Sequence, residues 1–236
     1  MLQKELLPNL DWEFQPLDSN VEISDGLLDQ LHKVCVDGFG LKSNDWVNDN
    51  REMLSTSTLF GKLIDDQGDF YGIAFYSAPD KALGDSHILW EDGICLVKEL
   101  QHNGFSRKAI AKAISLFPER QFNWLGCRTQ NPAMMMRYSK FGRLFPFDKL
   151  YDSADGQPIM EFLIEHIAEV RTTYQRGKLN TINGVCTRLY PQGRLGDYLV
   201  DLEKTAQFEK QLKSWGFQRE RGDAVILVSS LVQRIP

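Results

Sequence analysis

The chain has 236 residues, of which 42% are hydrophobic and 25% charged, the balance of an ordinary globular protein with room for one large domain. A formal net charge of −5 argues against a main role in gripping nucleic-acid phosphates. The longest purely aliphatic run, Ala224 to Val228, is far too short for a membrane span, and Met1-Leu2-Gln3-Lys4-Glu5 lacks the layout of a secretory signal, so a cytoplasmic location is expected.

The elements follow in order. Asp11 to Leu17 reads as a first strand with Trp12 and Phe14 as apolar positions. Ser24-Asp25 offers an N-cap to a helix carrying Leu27, Leu28, Leu31, Val34 and Cys35 on one face, closing near Gly38 or Gly40. The polar segment Ser43 to Ser55 holds a second short helix around Trp46 and Met53. Ser57 to Ile64 and Phe70 to Tyr76 are two strands, joined through the hairpin residues Asp65-Asp66-Gln67-Gly68-Asp69. His87 to Val97 reads as a buried strand interrupted by Glu91-Asp92-Gly93, where glycine permits a bulge.

Ser106 to Leu116 has helical spacing, since Ile110, Ile114 and Phe117 follow the i, i+4, i+7 rule. Phe122 to Cys127 is the next strand. Asn131 as N-cap and Pro132 at the first helical position start a helix through Phe141 that stops at Gly142. Farther on, Ile159 to Tyr174 predicts one helix, Thr181 to Tyr190 a strand, and Phe208, Leu212 and Trp215 a helix before Gly216. Ala224 to Val228 is a buried final strand. The alternation of strands and helices gives an α/β sheet with helices on both faces.

The cysteines Cys35, Cys95, Cys127 and Cys186 form no C-x-x-C pair, and the histidines His32, His87, His102 and His166 show no metal-ligand spacing. Neither a disulfide framework nor a metal site is expected. The runs Ser55-Thr56-Ser57-Thr58 and Ser229-Ser230 lack a base partner, and Met134, Met135 and Met136 are helical packing by default.

The sharpest signal is Gln101-His102-Asn103-Gly104-Phe105-Ser106, a polar loop between a buried strand and an amphipathic helix. Unpaired amides at a helix start, at the positive end of its dipole, suit a phosphate, and Gly104 has no Cβ to obstruct approach. An ordinary glycine-bearing turn is the alternative. Arg107 and Lys108 follow it, as solvated helix charges or as minor phosphate contacts. Downstream, Tyr138 stands seven residues after Asn131.

Together, the order strand, glycine-bearing turn, helix, strand and Asn-capped helix with a tyrosine resembles the GNAT superfamily of acyl-CoA N-acyltransferases. Residues 55–143 carry the resemblance, with Ser106 standing where the family's turn has Gly or Ala. The resemblance implies a single domain over 1–236, with a GNAT-like mixed, largely antiparallel central sheet whose fourth and fifth strands splay apart. Residues 150–222 are then a C-terminal extension or insertion. It also implies acetyl-CoA or another acyl-CoA as cosubstrate and an amine as acceptor, without metal, nucleic acid or membrane. The pyrophosphate would lie on the backbone of Gln101, His102, Asn103, Gly104, Phe105 and Ser106. Asn131 would lie near the pantetheine amides, and a backbone N–H close to Leu96 would meet the acyl carbonyl.

Two side chains are candidates for proton transfer. The resemblance gives Tyr138 the role of protonating the departing thiolate; packing beside Met135 and Phe141 is its alternative. An amine has a pKa of about 10.4 and must lose a proton before attack. Glu91 and Asp92 are candidates to assist, and because successive strand residues face opposite ways only one serves; Glu91 is preferred. Hairpin-end charges are the alternative for both. A non-catalytic acyl-CoA-binding sensor or interaction module of the same fold is the rival reading. A nucleotide-binding α/β protein is disfavoured by the lack of G-x-G-x-x-G or a phosphate-loop lysine. Neither acceptor nor oligomeric state is legible.

Overall fold

The structure, a computed structural model, describes residues 9–17, 24–40, 46–148, 153–190, 193 and 202–231. In chain order the elements are β1 (Asp11–Pro16), α1 (Asp25–Phe39), α2 (Trp46–Thr56), β2 (Leu59–Ile64), β3 (Phe70–Ser77), β4 (His87–Leu96) and α3 (Phe105–Ser115). There follow β5 (Phe122–Thr129), α4 (Pro132–Ser139), β6 (Leu144–Phe145), α5 (Ser153–His166), α6 (Ala168–Gln175), β7 (Val185–Cys186), α7 (Leu202–Ser214) and β8 (Ala224–Ser230).

The hydrogen-bonded strand order is β1-β2-β3-β4-β5-β8-β6, with β7 beside β8. The pairs β1–β2, β2–β3, β5–β8, β6–β8 and β7–β8 are antiparallel, whereas β4–β5 is parallel. This is the mixed, largely antiparallel sheet that the sequence leads one to expect. The β4–β5 register runs from His87↔Phe122 to Glu91↔Cys127, although β4 continues to Leu96 and β5 to Thr129. A parallel pair that stops pairing midway fits the splay implied by the resemblance.

By contact density the chain divides into two compact units, Met1–Tyr76 with Gly93–Leu116, and Ser77–Asp92 with Phe117–Pro236. In the first, Trp12 is buried and its indole N–H donates to the Phe105 carbonyl at 2.9 Å, tying the start of α3 to β1. Helix α1 is capped as expected, the Ser24 hydroxyl accepting from Leu27 N at 3.2 Å, and it ends at Gly40 in the left-handed region, φ 66°. A Cβ on Gly38 would stand 2.4 Å from the Leu96 carbonyl, so glycine there allows α1 to lie on the end of β4.

In the second unit, one sheet face packs Ile88 and Trp90 of β4 and Ala224, Ile226 and Val228 of β8 against Ile159, Leu163, Ile167 and Val170 of α5, α6 and their junction. Helix α4 meets the opposite face, where Ser229 of β8 donates through its hydroxyl to the Tyr138 carbonyl at 2.9 Å. Helices thus cover both faces of this part of the sheet. The stretch 150–222, expected as an extension or insertion, follows β6, adds β7 to the sheet and precedes β8, with which both β6 and β7 pair. It is inserted between two paired strands.

Several local expectations are corrected. Strand β4 is continuous through Glu91-Asp92-Gly93; a Cβ on Gly93 would come within 2.8 Å of Met53 Sδ, so glycine there makes room for a methionine. The single helix over 159–174 is two, divided at Ile167, whose backbone is extended at φ −106° and ψ 114°. Of Thr181–Tyr190 only Val185–Cys186 is strand, because a turn precedes it and Gly184 stands at φ 67°. Helix α4 ends at Ser139, with Lys140 and Phe141 N–H groups bonding Arg137 and Tyr138 carbonyls in a tighter turn.

Candidate functional site

Two groups of residues singled out by sequence fall in different units. In the first unit, β4 ends at Leu96, a single 3₁₀ turn spans Lys98–Leu100, and the loop 101–104 delivers the chain to α3. His102 and Gly104 both lie in the left-handed region, at φ 69° and φ 81°. Alternation of this kind turns successive amides toward one side, the geometry of an anion-binding nest. The amides of Gln101 and Asn103 bond the Lys98 and Leu100 carbonyls. Those of His102, Gly104, Phe105 and Ser106 donate to no described acceptor.

Gly104 is itself the N-cap of α3, with no side-chain cap, and a Cβ built on it would meet nothing within 4 Å. Open space at that point and unbonded amides around it fit a phosphate group. The surroundings hold the loop in place. The Gln101 amide nitrogen donates to the Gly38 carbonyl at 2.8 Å and the Leu96 carbonyl at 3.1 Å, so this side chain is a brace. Asn103 similarly donates to the Glu99 carbonyl at 3.1 Å. His102, Arg107 and Lys108 are exposed.

In the second unit the geometry is closed. Asn131 caps α4 as its sequence promises, its side-chain oxygen accepting from Ala133 N at 2.9 Å. Tyr138, 0% exposed, donates its hydroxyl to the Gly126 carbonyl of β5 at 3.1 Å. Burial foremost, then the neighbouring Cys127 thiol and Glu91 carboxylate, hold the Tyr138 hydroxyl well above its ordinary pKa against the opposing charge of Arg137. It stays protonated at neutral pH, as a proton donor must. Burial likewise pushes the Cys127 thiol up, away from any nucleophilic role.

Glu91 is 2% exposed and pairs with Arg137 Nη2 at 2.5 Å, while the Arg137 guanidinium lies 5.2 Å from the centre of the Tyr138 ring. Asp92 accepts from the Ser77 hydroxyl at 2.7 Å instead. The two carboxylates therefore have separate partners, as alternation along a strand requires. On the opposite sheet face Glu169 of α6 accepts from the Trp90 indole at 2.6 Å and pairs with Arg128 at 2.8 Å. Arg137, Arg128 and Glu169 were not singled out by sequence. Their partners lie 46, 41 and 79 residues away, and no local pattern announces such pairs.

Among the described residues no group of three or more His, Cys, Asp or Glu is placed to hold a metal ion, and no helix is long and apolar enough to cross a membrane.

No protein-family model matches the chain, and no curated protein does. Solved structures do align with it. The ribosomal-protein-S18-alanine N-acetyltransferase of Escherichia coli is 10% identical over 95% of this chain and 96% of its own, with a TM-score of 0.47. An IAA acetyltransferase from Bacillus cereus is 10% identical, covering 94% and 99%, also at 0.47. A GNAT family acetyltransferase from Elizabethkingia anophelis, with acetyl-CoA bound, is 10% identical over 93% and 98%, at 0.42.

Proposed function

We propose that this chain is a GNAT-like acyltransferase moving an acetyl or other short acyl group from acyl-CoA to an amine, in the cytoplasm. The observation that carries the reading is the loop before α3. Two left-handed residues, four amides without a described acceptor and open space at Gly104 gather at the start of an 11-residue helix. A parallel strand pair that ceases to pair midway supports it.

On this reading the pyrophosphate is assigned to the amides of His102, Gly104, Phe105 and Ser106, with Gln101 and Asn103 shaping the turn. Asn131 is assigned to the pantetheine amides and the backbone N–H near Leu96 to the acyl oxygen, whose developing charge it would stabilise. Nitrogen bonds to the acyl carbon, the carbon–sulfur bond breaks, the amine's surplus proton passes to water, and Tyr138 gives its proton to sulfur and recovers one from solvent before the next turnover. Glu91 is the other proton-transfer candidate; its pairing with Arg137 favours the different part argued below.

A second reading, an acyl-CoA-binding module without turnover, is favoured by one observation. Both proton-transfer candidates, Glu91 and Tyr138, are buried and already bonded. Calorimetry with acetyl-CoA and detection of released thiol over a panel of amines separate the two readings. Tight binding with release is expected; binding with no release on any amine selects the module, and no binding rejects both. Where release is found, Tyr138→Phe keeps the ring and slows single-turnover transfer by roughly 10²–10⁴-fold. A variant matching wild type in that measurement leaves Tyr138 a packing residue.

A further inference from the structure

Glu91 and Arg137 meet within the second unit at the end of the β4–β5 ladder. The register sets Trp90 against Gly126 and Glu91 against Cys127, and there it stops. From the last turn of α4, Arg137 brings Nη2 to 2.5 Å from Glu91 Oε1, with side chains 17% and 1% exposed. The next residue is Tyr138. Its ring lies under the Arg137 guanidinium at 5.2 Å, its hydroxyl reaches the Gly126 carbonyl, and its own carbonyl accepts from Ser229. The ring is thus held on its face, at its tip and at its backbone. Tip and face are both referred to adjacent rungs of one ladder, Gly126 directly and Glu91 through Arg137.

Such a carboxylate is a poor proton acceptor. Protonating it would leave the Arg137 charge largely buried without its counter-ion, which is costly. The charged or titratable groups around the Tyr138 hydroxyl are Cys127 on β5, Glu91 on β4 and Arg137 on α4. Arg137 and Glu91 oppose one another there, so as a pair they place the ring with little net effect on its charge. We infer that Arg137 is a positioning residue, anchored by Glu91, that sets the placement of Tyr138, and that Glu91 takes no proton from the amine. Its functional meaning rests on the acyl-transfer reading; the placement rests on the cluster alone.

The test uses full-length protein with ¹³Cζ-labelled tyrosine. Of the 7 tyrosines, the Tyr138 resonance is identified by its loss in Tyr138→Phe. Glu91→Gln and Arg137→Met are each expected to displace that resonance and, with acetyl-CoA and any amine the wild type accepts, to slow single-turnover transfer by roughly a hundredfold. The double variant Glu91→Leu with Arg137→Met replaces the ion pair by apolar packing, and is expected to recover stability while leaving the resonance displaced and transfer slow. If a single variant does not fold, Arg137→Lys keeps the charge but not the planar fork, and a smaller displacement is expected. An unmoved resonance in the variants that break the pair overturns the inference. A double variant with the resonance restored but transfer as slow as in Glu91→Gln also overturns it, and returns Glu91 to proton removal. A wild type that binds acetyl-CoA yet acylates no amine defeats the acyl-transfer reading alone, because the resonance still decides the placement.

Discussion

The loop 101–106 and the cluster around Tyr138 are built on opposite plans. The loop offers backbone: four of its amides donate to no described acceptor, and the side chains of Gln101 and Asn103 bond neighbouring carbonyls to hold it. The cluster offers buried, bonded side chains: Glu91 pairs with Arg137, and Tyr138 donates to the backbone carbonyl of Gly126. A backbone site tolerates exchange of most residues so long as φ is kept, so on the proposed reading a serine at position 106 is expected to serve as well as a glycine or alanine. A side-chain site depends on identity. Ligand binding and chemistry should therefore respond differently to mutation.

The largest effect separating them is expected at Gly104. Gly104→Val puts a branched side chain into the open space and is expected to cost roughly two decades of acetyl-CoA affinity, about 2.8 kcal/mol, in calorimetry. The left-handed backbone at φ 81° strains any other residue by about 1–2 kcal/mol, so Gly104→Ala is the control. A valine variant that binds no worse than the alanine variant would make the loop an ordinary turn. Next comes Trp12→Phe, which strips the Phe105 carbonyl of a buried donor. A loss of about 1–3 kcal/mol in chemical denaturation is expected, with any fall in affinity arising only through a displaced α3. The smallest effect is at Asn131. Asn131→Ala removes the α4 cap at a cost of about 1 kcal/mol. If it also weakens acetyl-CoA binding beyond that destabilisation, Asn131 contacts the ligand as well as the helix; equal affinity confines it to capping.

What the sequence disclosed follows the same division. Asn131-Pro132 marked the start of α4 because capping is local chemistry, settled within three residues. The loop was legible for the same reason, though not the left-handed His102, which its residue type does not announce. Glu91 stood out as a carboxylate in an apolar strand, but its partner did not: Arg137 reaches it only once β4, β5 and α4 are assembled. Strand β6, two residues long, exists only because Leu144 and Phe145 pair with Ser229 and Val228, so no periodicity could reveal it. The break at Ile167 was hidden because its apolar side chain continues the helical pattern while its backbone does not.

The insertion between β6 and β8 has a consequence in time. Leu144 pairs with Ser229, and Trp124 of β5 pairs with Ser230, across separations of 85 and 106 residues (229 − 144 and 230 − 124). Closing such spans costs chain entropy before any contact repays it, which slows folding even where stability is ample. During synthesis from the N-terminus, β5 has its β4 side available for pairing long before β8 is made. Its other edge must wait, with unpaired amides and carbonyls, until Ala224–Ser230 leaves the ribosome. The strand that closes the second unit is thus the last of the described strands to arrive. A chain stalled or cut between β6 and β8 would carry a complete loop 101–106 and, in its second unit, an open, aggregation-prone sheet edge.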